Sequence, residues 1–443
     1  MKILFCEAAQ RNEKGELLKI KPMWICGITT PHLAAITPGD IEVEIQNELV
    51  EDIRFDGNYD LVAITSMGGS ATLRACEISD EFRKRGKKVV MGGVPMTIFS
   101  EITQNHCDAL VKGEVELMWN DIINDFRRGS LQRVYESKEL HDLRGLPTPR
   151  YDLLVKKPVG PIMPIQATRG CPQPCKYCSV TAFYKQAYRM RPVDDVIRDF
   201  EVLKKMGYSR FLFIDDNILA RKDYAKELFK AMIPLKIHWY SQAALPALDD
   251  ENFLDLVKDS GCDLLSIGFE TINQKVLNNV AKQFNHPDKY KSIIKSIKQR
   301  GIYIHTSLMF GFDEDDKTVF DDTYQFFMEA GVGLPELHIL TPTPGTPLFT
   351  EMEKAGRLLH KDYTKYNPDQ VVFQPKNMTP AELEYEFWHL FDRFYTPAAI
   401  FKRIVLKTTG GYLKKFIMFL MMIIINFKFR HAVTVQRRSP ATV

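Results

Sequence analysis

Cys171, Cys175 and Cys178 stand in the stretch Ala-Thr-Arg-Gly-Cys-Pro-Gln-Pro-Cys-Lys-Tyr-Cys, a CxxxCxxC spacing directly after the apolar run from Pro161 to Ala167. Three thiolates this close can hold three irons of a [4Fe–4S] cube and leave the fourth without a protein ligand. An iron left open is a place where a small molecule binds. The competing reading is zinc, but structural zinc sites close with four ligands at paired CxxC or His spacings. No second CxxC and no HxxxH follows this loop. Tyr177 adds an aromatic ring just before the last cysteine.

Further polar residues fall at the ends of apolar, strand-like runs. Phe213-Ile214 leads into Asp215-Asp216-Asn217, Trp239-Tyr240 into Ser241-Gln242, and Ser266-Ile267-Gly268-Phe269 into Glu270. Carboxylates, amides and hydroxyls there could bind an ammonium or ribose hydroxyls; an acidic turn capping the next helix is the plainer reading of Asp215–Asn217. A glutamate closing a buried strand is costly unless paired. Earlier in the chain, Thr65-Ser66-Met67-Gly68-Gly69-Ser70 and Gly92-Gly93-Val94-Pro95-Met96-Thr97 also follow apolar runs. Glycines let a flat ligand approach the backbone, although ordinary strand-to-helix turns use the same residues.

The elements that must position these groups form two β/α series. Strands are expected at Lys2–Cys6, Ile41–Ile45, Leu61–Thr65, Lys88–Met91 and Ala109–Lys112, with helices between them such as Ser70–Arg85. Alternation of this kind predicts a doubly wound parallel sheet, with ligands beyond the carboxyl ends of its strands. The Gly- and Pro-rich stretch Leu143–Arg150 marks a boundary. A second series then runs through Pro161–Ala167, Arg210–Asp215, Ile237–Gln242, Leu264–Glu270, Ile302–Phe310 and Glu336–Leu340, separated by helices such as Val193–Lys205 and Asp223–Met232. Six βα units predict a partial (β/α)6 barrel whose working residues sit at its C-terminal strand ends. The expected division is residues 1–140, a 141–160 linker, a 161–375 barrel and a helical 376–443 region.

Composition fits this scheme. With 45% hydrophobic and 26% charged residues over 443 positions, the chain can bury a large core. Cys6, Cys26, Cys76, Cys107 and Cys262 are scattered rather than paired in a framework, which suggests a reduced cytoplasm. The N-terminal Met-Lys-Ile-Leu-Phe-Cys-Glu-Ala reads as a short strand rather than a signal peptide. The net charge of +3 hides an asymmetry: from Lys402 onward there are nine basic residues and no acid. A basic tail on an acidic body does not fit a nucleic-acid enzyme, which spreads basic residues over its working face.

CxxxCxxC with Tyr177 resembles the signature of the radical S-adenosylmethionine (SAM) enzymes. Leu33-Ala34-Ala35, Thr65-Ser66-Met67, Gly92-Gly93 and Gly113-Glu114-Val115-Glu116 resemble the cobalamin-binding domain fused in front of many of them. Cys178-Ser-Val-Thr-Ala-Phe-Tyr, Arg189-Met190-Arg191-Pro192, Asp215-Asp216-Asn217, Gly268-Phe269-Glu270 and Pro344-Gly345-Thr346 carry the likeness through most of the chain. They are similar to the branch that includes the hopanoid methylases and lies near the anaerobic magnesium-protoporphyrin ester cyclase. The resemblance implies a [4Fe–4S] cluster on Cys171, Cys175 and Cys178, and a SAM site with Tyr177, Asp215, Asp216, Asn217, Ser241, Gln242 and Glu270. It implies cobalamin against Thr65, Ser66, Gly92 and Gly93. The chain has no DxHxxG motif, which matches a histidine-off mode, and Pro95 stands where relatives often carry a histidine. The implied chemistry is cleavage of SAM to a 5′-deoxyadenosyl radical, with electrons from a low-potential donor such as ferredoxin or flavodoxin. Methyl transfer from cobalamin to an unactivated carbon of a hydrophobic, lipid-like substrate would follow, with a second SAM restoring the methyl group on cobalt. A cyclase or oxidoreductase without methylation, and a non-catalytic cluster- or cobalamin-binding sensor, remain the alternatives. The lack of any cysteine after Cys262 excludes an auxiliary C-terminal cluster.

Phe416–Ile425 is an unbroken apolar run flanked by Lys414-Lys415 and by Lys428 and Arg430. As a helix it spans about half of a ~30 Å hydrocarbon core. Three placements are open: an anchor on the inner membrane face, a helix buried on the barrel, or a membrane span. The basic flanks favour the anchor.

Overall fold

The computed structural model describes residues 1–11, 15–66, 68–404 and 412–436; Met67 and three of the nine basic residues from Lys402 onward, Lys407, Arg437 and Arg438, lie outside them. The chain divides into two compact units. One comprises Met1–Ala167, Arg189–Leu212 and Asp362–Asn367; the other comprises Thr168–Tyr188, Phe213–Lys361 and Pro368–Val443.

The first unit contains β1 (Lys2–Ala8), β2 (Glu42–Asn47), β3 (Leu61–Ser66), β4 (Lys88–Met91), β5 (Ala109–Lys112) and β6 (Val134–Glu136). They pair in the order β2-β1-β3-β4-β5-β6, parallel throughout. Sheets covered on both faces need strands apolar on both faces, and every residue of β3 is buried. Alternation sends Ile3, Phe5, Leu61 and Ala63 into one core with Trp119 and Ile122. Leu4, Cys6, Val62 and Ile64 go into the other, with Ala75, Ile78 and Phe82. Strand order reverses at β1, whose neighbours are β2 and β3. Such a reversal opens a crevice at the strand ends, and Thr65 and Ser66 close β3 there.

The remaining strands are β7 (Ile162–Ile165), β8 (Thr168–Gly170), β9 (Tyr188–Met190), β10 (Arg210–Phe213), β11 (His238–Ala243), β12 (Cys262–Glu270), β13 (Tyr303–Phe310) and β14 (Leu334–Ile339). Six of them form an open sheet in the order β14-β13-β12-β11-β10-β7, and β8 and β9 form a separate two-stranded ribbon. Registers from β11 to β14 are parallel. The partial (β/α)6 series expected from the sequence is observed, with helices such as Val193–Lys205 and Lys222–Met232 between strands. Strands β6, β8 and β9 were not foreseen; at three residues each, they carry too little periodicity to be read.

At the C-terminal end, a helix at Pro380–Phe394 begins with a reciprocal Thr379–Glu382 cap, and helices at Pro397–Ile404 and Tyr412–Gln436 follow. Within the last helix the run Phe416–Ile425 is apolar all round in sequence, yet the helix faces have different surroundings. Met422 and Asn426 are buried, Phe429 packs at 5.5 Å on Tyr395, and Phe419 at 6.2 Å on Phe401. Phe416, Leu420, Ile424 and Phe427 remain exposed in a row. Packing on the body of the protein therefore accounts for one face of this segment. No helix among the described residues is long and apolar enough to cross a membrane.

Within the second unit, Arg403 ties these helices to the turn that precedes β14. Its guanidinium, 1% exposed, donates to the carbonyls of Val332 (3.1 Å), Gly333 (3.2 Å) and Phe394 (2.8 Å), and to Asn426 Oδ1 at 3.3 Å. Arg403→Met would leave several buried acceptors without donors, each a costly loss. We expect a lowered urea midpoint, with stability reduced by about 2 kcal/mol or more; an unchanged midpoint would contradict this anchoring role.

Candidate functional site

The three cysteines lie on the loop that leaves β8, and Cys178 directly precedes the helix Ser179–Tyr184. All are free thiols, Cys175 buried and the others half-buried. Burial pushes the Cys175 thiol up to about 11, against the opposing charge of Lys282, and Cys178 and Cys171 raise it further. Burial likewise raises Cys171, with Cys178 adding to the effect. The three groups therefore share one electrostatic neighbourhood. Among the described residues, no three His, Cys, Asp or Glu side chains converge on a single metal ion. A four-iron cube needs its thiolates spread around a wider body, and three clustered thiols on one loop fit that donor set.

The loop is held from several directions. Asp215, 1% exposed, accepts at Oδ1 from the backbone N–H of Thr168 and from its hydroxyl. Asp216 Oδ2 accepts from Gly170 N at 2.8 Å. Asn217, also buried, reaches Cys171 Sγ at 3.7 Å through Nδ2, while its Oδ1 accepts from Ala244 N at 3.1 Å. Mid-loop, Lys176 N donates to Val280 O and Lys176 O accepts from Leu348 N, both at 3.1 Å. The polar triplet read from the sequence as a SAM site is thus brought to the cluster loop, where its visible bonds position β8 and Cys171.

Tyr177 stands edge-on to Phe312 at 6.3 Å, and its hydroxyl accepts from Lys282 Nζ at 3.3 Å. Lys282 also pairs with Glu270 at 2.5 Å, and Ser307 Oγ donates to Glu270 Oε2 at 3.2 Å. Glu270, expected from the sequence to need a partner, has one in this lysine twelve positions on. Gly268 leaves the space: a Cβ there would lie 2.4 Å from Glu270 Oε1 and 2.9 Å from Lys282 Nζ. Burial opposes the charge on Lys282, but Glu270 and the Cys175 and Cys178 thiols together raise its pKa. Ser241 and Gln242 part company, as neighbours on a strand must. Gln242 is on the exposed side of β11, while Ser241 is buried and donates to Gln242 O at 3.2 Å.

In the first unit, Thr65 and Gly93 meet. Gly93 has φ +111°, and a Cβ there would lie 2.7 Å from Thr65 Oγ1. Thr97 Oγ1 donates to Gly93 O at 3.0 Å, and Ser66 Oγ to Gly68 O at 3.2 Å. At Gly92 a Cβ would come within 3.2 Å of Val111 Cβ. These strand ends form a close backbone cradle beside the crevice expected for a flat ligand. Glu114 of the resemblance motif serves as scaffold, gripping Arg189 at 2.5 and 2.9 Å. Glu116 pairs with His32 Nε2 at 3.0 Å.

The sequence profile of the radical SAM superfamily matches residues 165–327, and a domain of unknown function (DUF4070) matches residues 346–432. The chain is 33% identical over 353 residues to bacteriochlorophyllide d C-12(1)-methyltransferase of Chlorobaculum tepidum, covering 78% of this chain and 77% of that protein. It is 30% identical over 395 residues to the C-8(2)-methyltransferase of the same organism, covering 85% and 86%. Among solved structures, it resembles the radical SAM methyltransferase TsrM from Kitasatospora setae with cobalamin and [4Fe–4S] cluster bound. The TM-score is 0.70 at 15% identity, covering 98% of each chain.

Changing Cys171, Cys175 or Cys178 to Ala should remove the cluster. Anaerobic reconstitution of the wild type should give about four irons per chain. A triple variant that kept its brown absorbance would sink the assignment.

Proposed function

This chain belongs to the cobalamin-type branch of the radical SAM family, and we propose that it methylates a carbon of a hydrophobic, tetrapyrrole-like substrate. The supporting observation is a CxxxCxxC loop pinned at a strand end, in a chain 33% identical over most of its length to a bacteriochlorophyllide methyltransferase. When bound, the cluster and SAM supply hydrogen abstraction from an unactivated carbon, and cobalamin supplies the methyl group. The protein's own part is placement. Cys171, Cys175 and Cys178 hold the cluster, Asp215 and Asp216 fix the strand that leads to it, and Lys282 sets a positive charge beside it. Tyr177, Asn217, Gln242 and Glu270 are assigned to the SAM side, with Asp215 and Asp216 supporting it through the loop; Ser241, buried on the other face of β11, is left out. Thr65, Ser66, Gly92 and Gly93 are assigned to the face of the corrin. A low-potential ferredoxin or flavodoxin is the proposed electron donor.

Product mass tests this reading: methylation adds one CH2 unit to the acceptor, and a substrate converted without that gain would favour the cyclase-type alternative. The full-length chain should bind hydroxocobalamin and, reduced to Co(II), show no nitrogen hyperfine splitting from a protein imidazole. A histidine signal would contradict the histidine-off assignment.

We also propose that the exposed row Phe416, Leu420, Ile424 and Phe427 touches a lipid surface from a cytoplasmic position, since apolar side chains stacked beside basic residues suit an anionic membrane. Leu420→Asp with Ile424→Asp should abolish co-sedimentation with anionic liposomes and leave the iron content intact. Unchanged co-sedimentation would rule this contact out.

A further inference from the structure

The open face of the second unit's sheet carries a polar group that the cofactor chemistry leaves unused. Alternation along β12, β13 and β14 puts Ser266, His305, Ser307, Glu336 and His338 on the partly accessible face, while Ile267, Thr306 and Leu337 between them are buried. Glu336 Oε2 lies 3.0 Å from His305 Nε2 and 3.5 Å from His338 Nε2. His305 Nδ1 lies 2.9 Å from Ser266 Oγ. Both nitrogens of His305 are thereby occupied: one faces the carboxylate and the other accepts the serine proton. His338 is different. It spends Nε2 on Glu336, and its Nδ1 has no hydrogen-bond partner among the described residues, although only 20% of the side chain is exposed.

Burial disfavours charge on His338, yet its bond to Glu336 and the nearby Glu270 and Asp369 raise its pKa above the usual imidazole value. Burial also disfavours charge on Glu336, but the two histidines bring its pKa far below the usual carboxylate range. With Nε2 held by Glu336, the open Nδ1 of a protonated His338 would be a donor aimed at an anion. The group shares its face with the cluster side of the sheet. Ser307, the register partner of Glu336, donates to Glu270, which is paired with Lys282 beside Tyr177.

We propose that His338, clamped by Glu336, anchors a carboxylate of the substrate, so that this enzyme takes a hydrophobic molecule bearing an acid side chain rather than a neutral hydrocarbon. This rests on the methyltransferase reading above and narrows its substrate class. A bacteriochlorophyllide is a free acid, and esterification removes the anion without changing the macrocycle. The test titrates the cluster-loaded, full-length protein with bacteriochlorophyllide d and with its methyl ester, following pigment absorbance under anaerobic conditions. Wild type should bind the acid about tenfold or more tighter than the ester, the scale of one charge-assisted hydrogen bond. His338→Leu should bring the two affinities together, and Glu336→Gln should reduce the difference part of the way; iron content and melting midpoint report whether each variant is folded. An acid preference of wild-type size in a folded His338→Leu protein overturns the proposal. So does a wild type that binds neither pigment or favours the ester. SAM cleavage measured in the same wild-type samples reports separately on the radical SAM reading beneath it.

Discussion

Everything at the cluster end of this protein depends on a buried carboxylate. Asp215 is almost completely removed from water, and Thr168 offers it both an N–H and a hydroxyl there. That pair locks β10 to the short strand from which the cysteine loop departs, and Asp216 repeats the device at Gly170. A cluster bound by only three thiolates has no fourth protein ligand to correct a misplaced loop, so the loop has to be rigid beforehand. Two successive aspartates, one bonded to Thr168 and the other to Gly170, supply that rigidity from within the strand order itself.

Charge near the iron site follows from the same geometry. The Cys175 and Cys178 thiolates would crowd negative charge into a buried region, and Lys282 is the cation placed against it. Lysine at that depth would be expensive alone. Glu270 neutralises it, Tyr177 gives it an acceptor, and Gly268 lacks the side chain that would push the pair apart. Glu270 itself adopts φ +64°, an uncommon conformation for a residue with a side chain. Phe269 faces Tyr290 and Phe327 of the flanking helices, while the Glu270 carboxylate meets Ser307 on the other side of the sheet.

Much of this was legible in the chain. The CxxxCxxC spacing marked the loop proposed to carry the iron, and the alternation of apolar runs located both β/α series with strand limits within a few residues. The inner strands of the first sheet, such as Leu61–Ser66, are largely apolar runs, and such runs leave a strong imprint. What escaped has physical causes. Lys282 is a polar residue in a helix-to-helix turn, and nothing local ties it to Glu270; only the fold closes that distance. His305, Glu336 and His338 sit mid-strand rather than at strand ends, so a search confined to strand ends passed over them. Ser241 and Gln242 were read together although a strand separates neighbours. For Asp215 and Asp216, sequence does not show that each carboxylate also bonds the backbone of β8.

The C-terminal helix shows how the same hydrophobic run can satisfy two demands. Residues spaced by three and four positions, Phe419, Met422, Asn426 and Phe429, turn toward the body of the protein, and Asn426 there joins Arg403 in donating to the carbonyl of Gly333. A helix chosen only to pack would place polar residues on its other side. This one keeps Phe416, Leu420, Ile424 and Phe427 outward instead. Sequence periodicity registers no amphipathic signal in such a segment, because both faces are apolar and a single asparagine marks the docked side. Exposed aromatic and aliphatic residues in a continuous row carry a solubility cost, and contact with an apolar surface offsets it. The docked face therefore holds the outer row in a fixed orientation, a rigid presentation that a free amphipathic tail would lack.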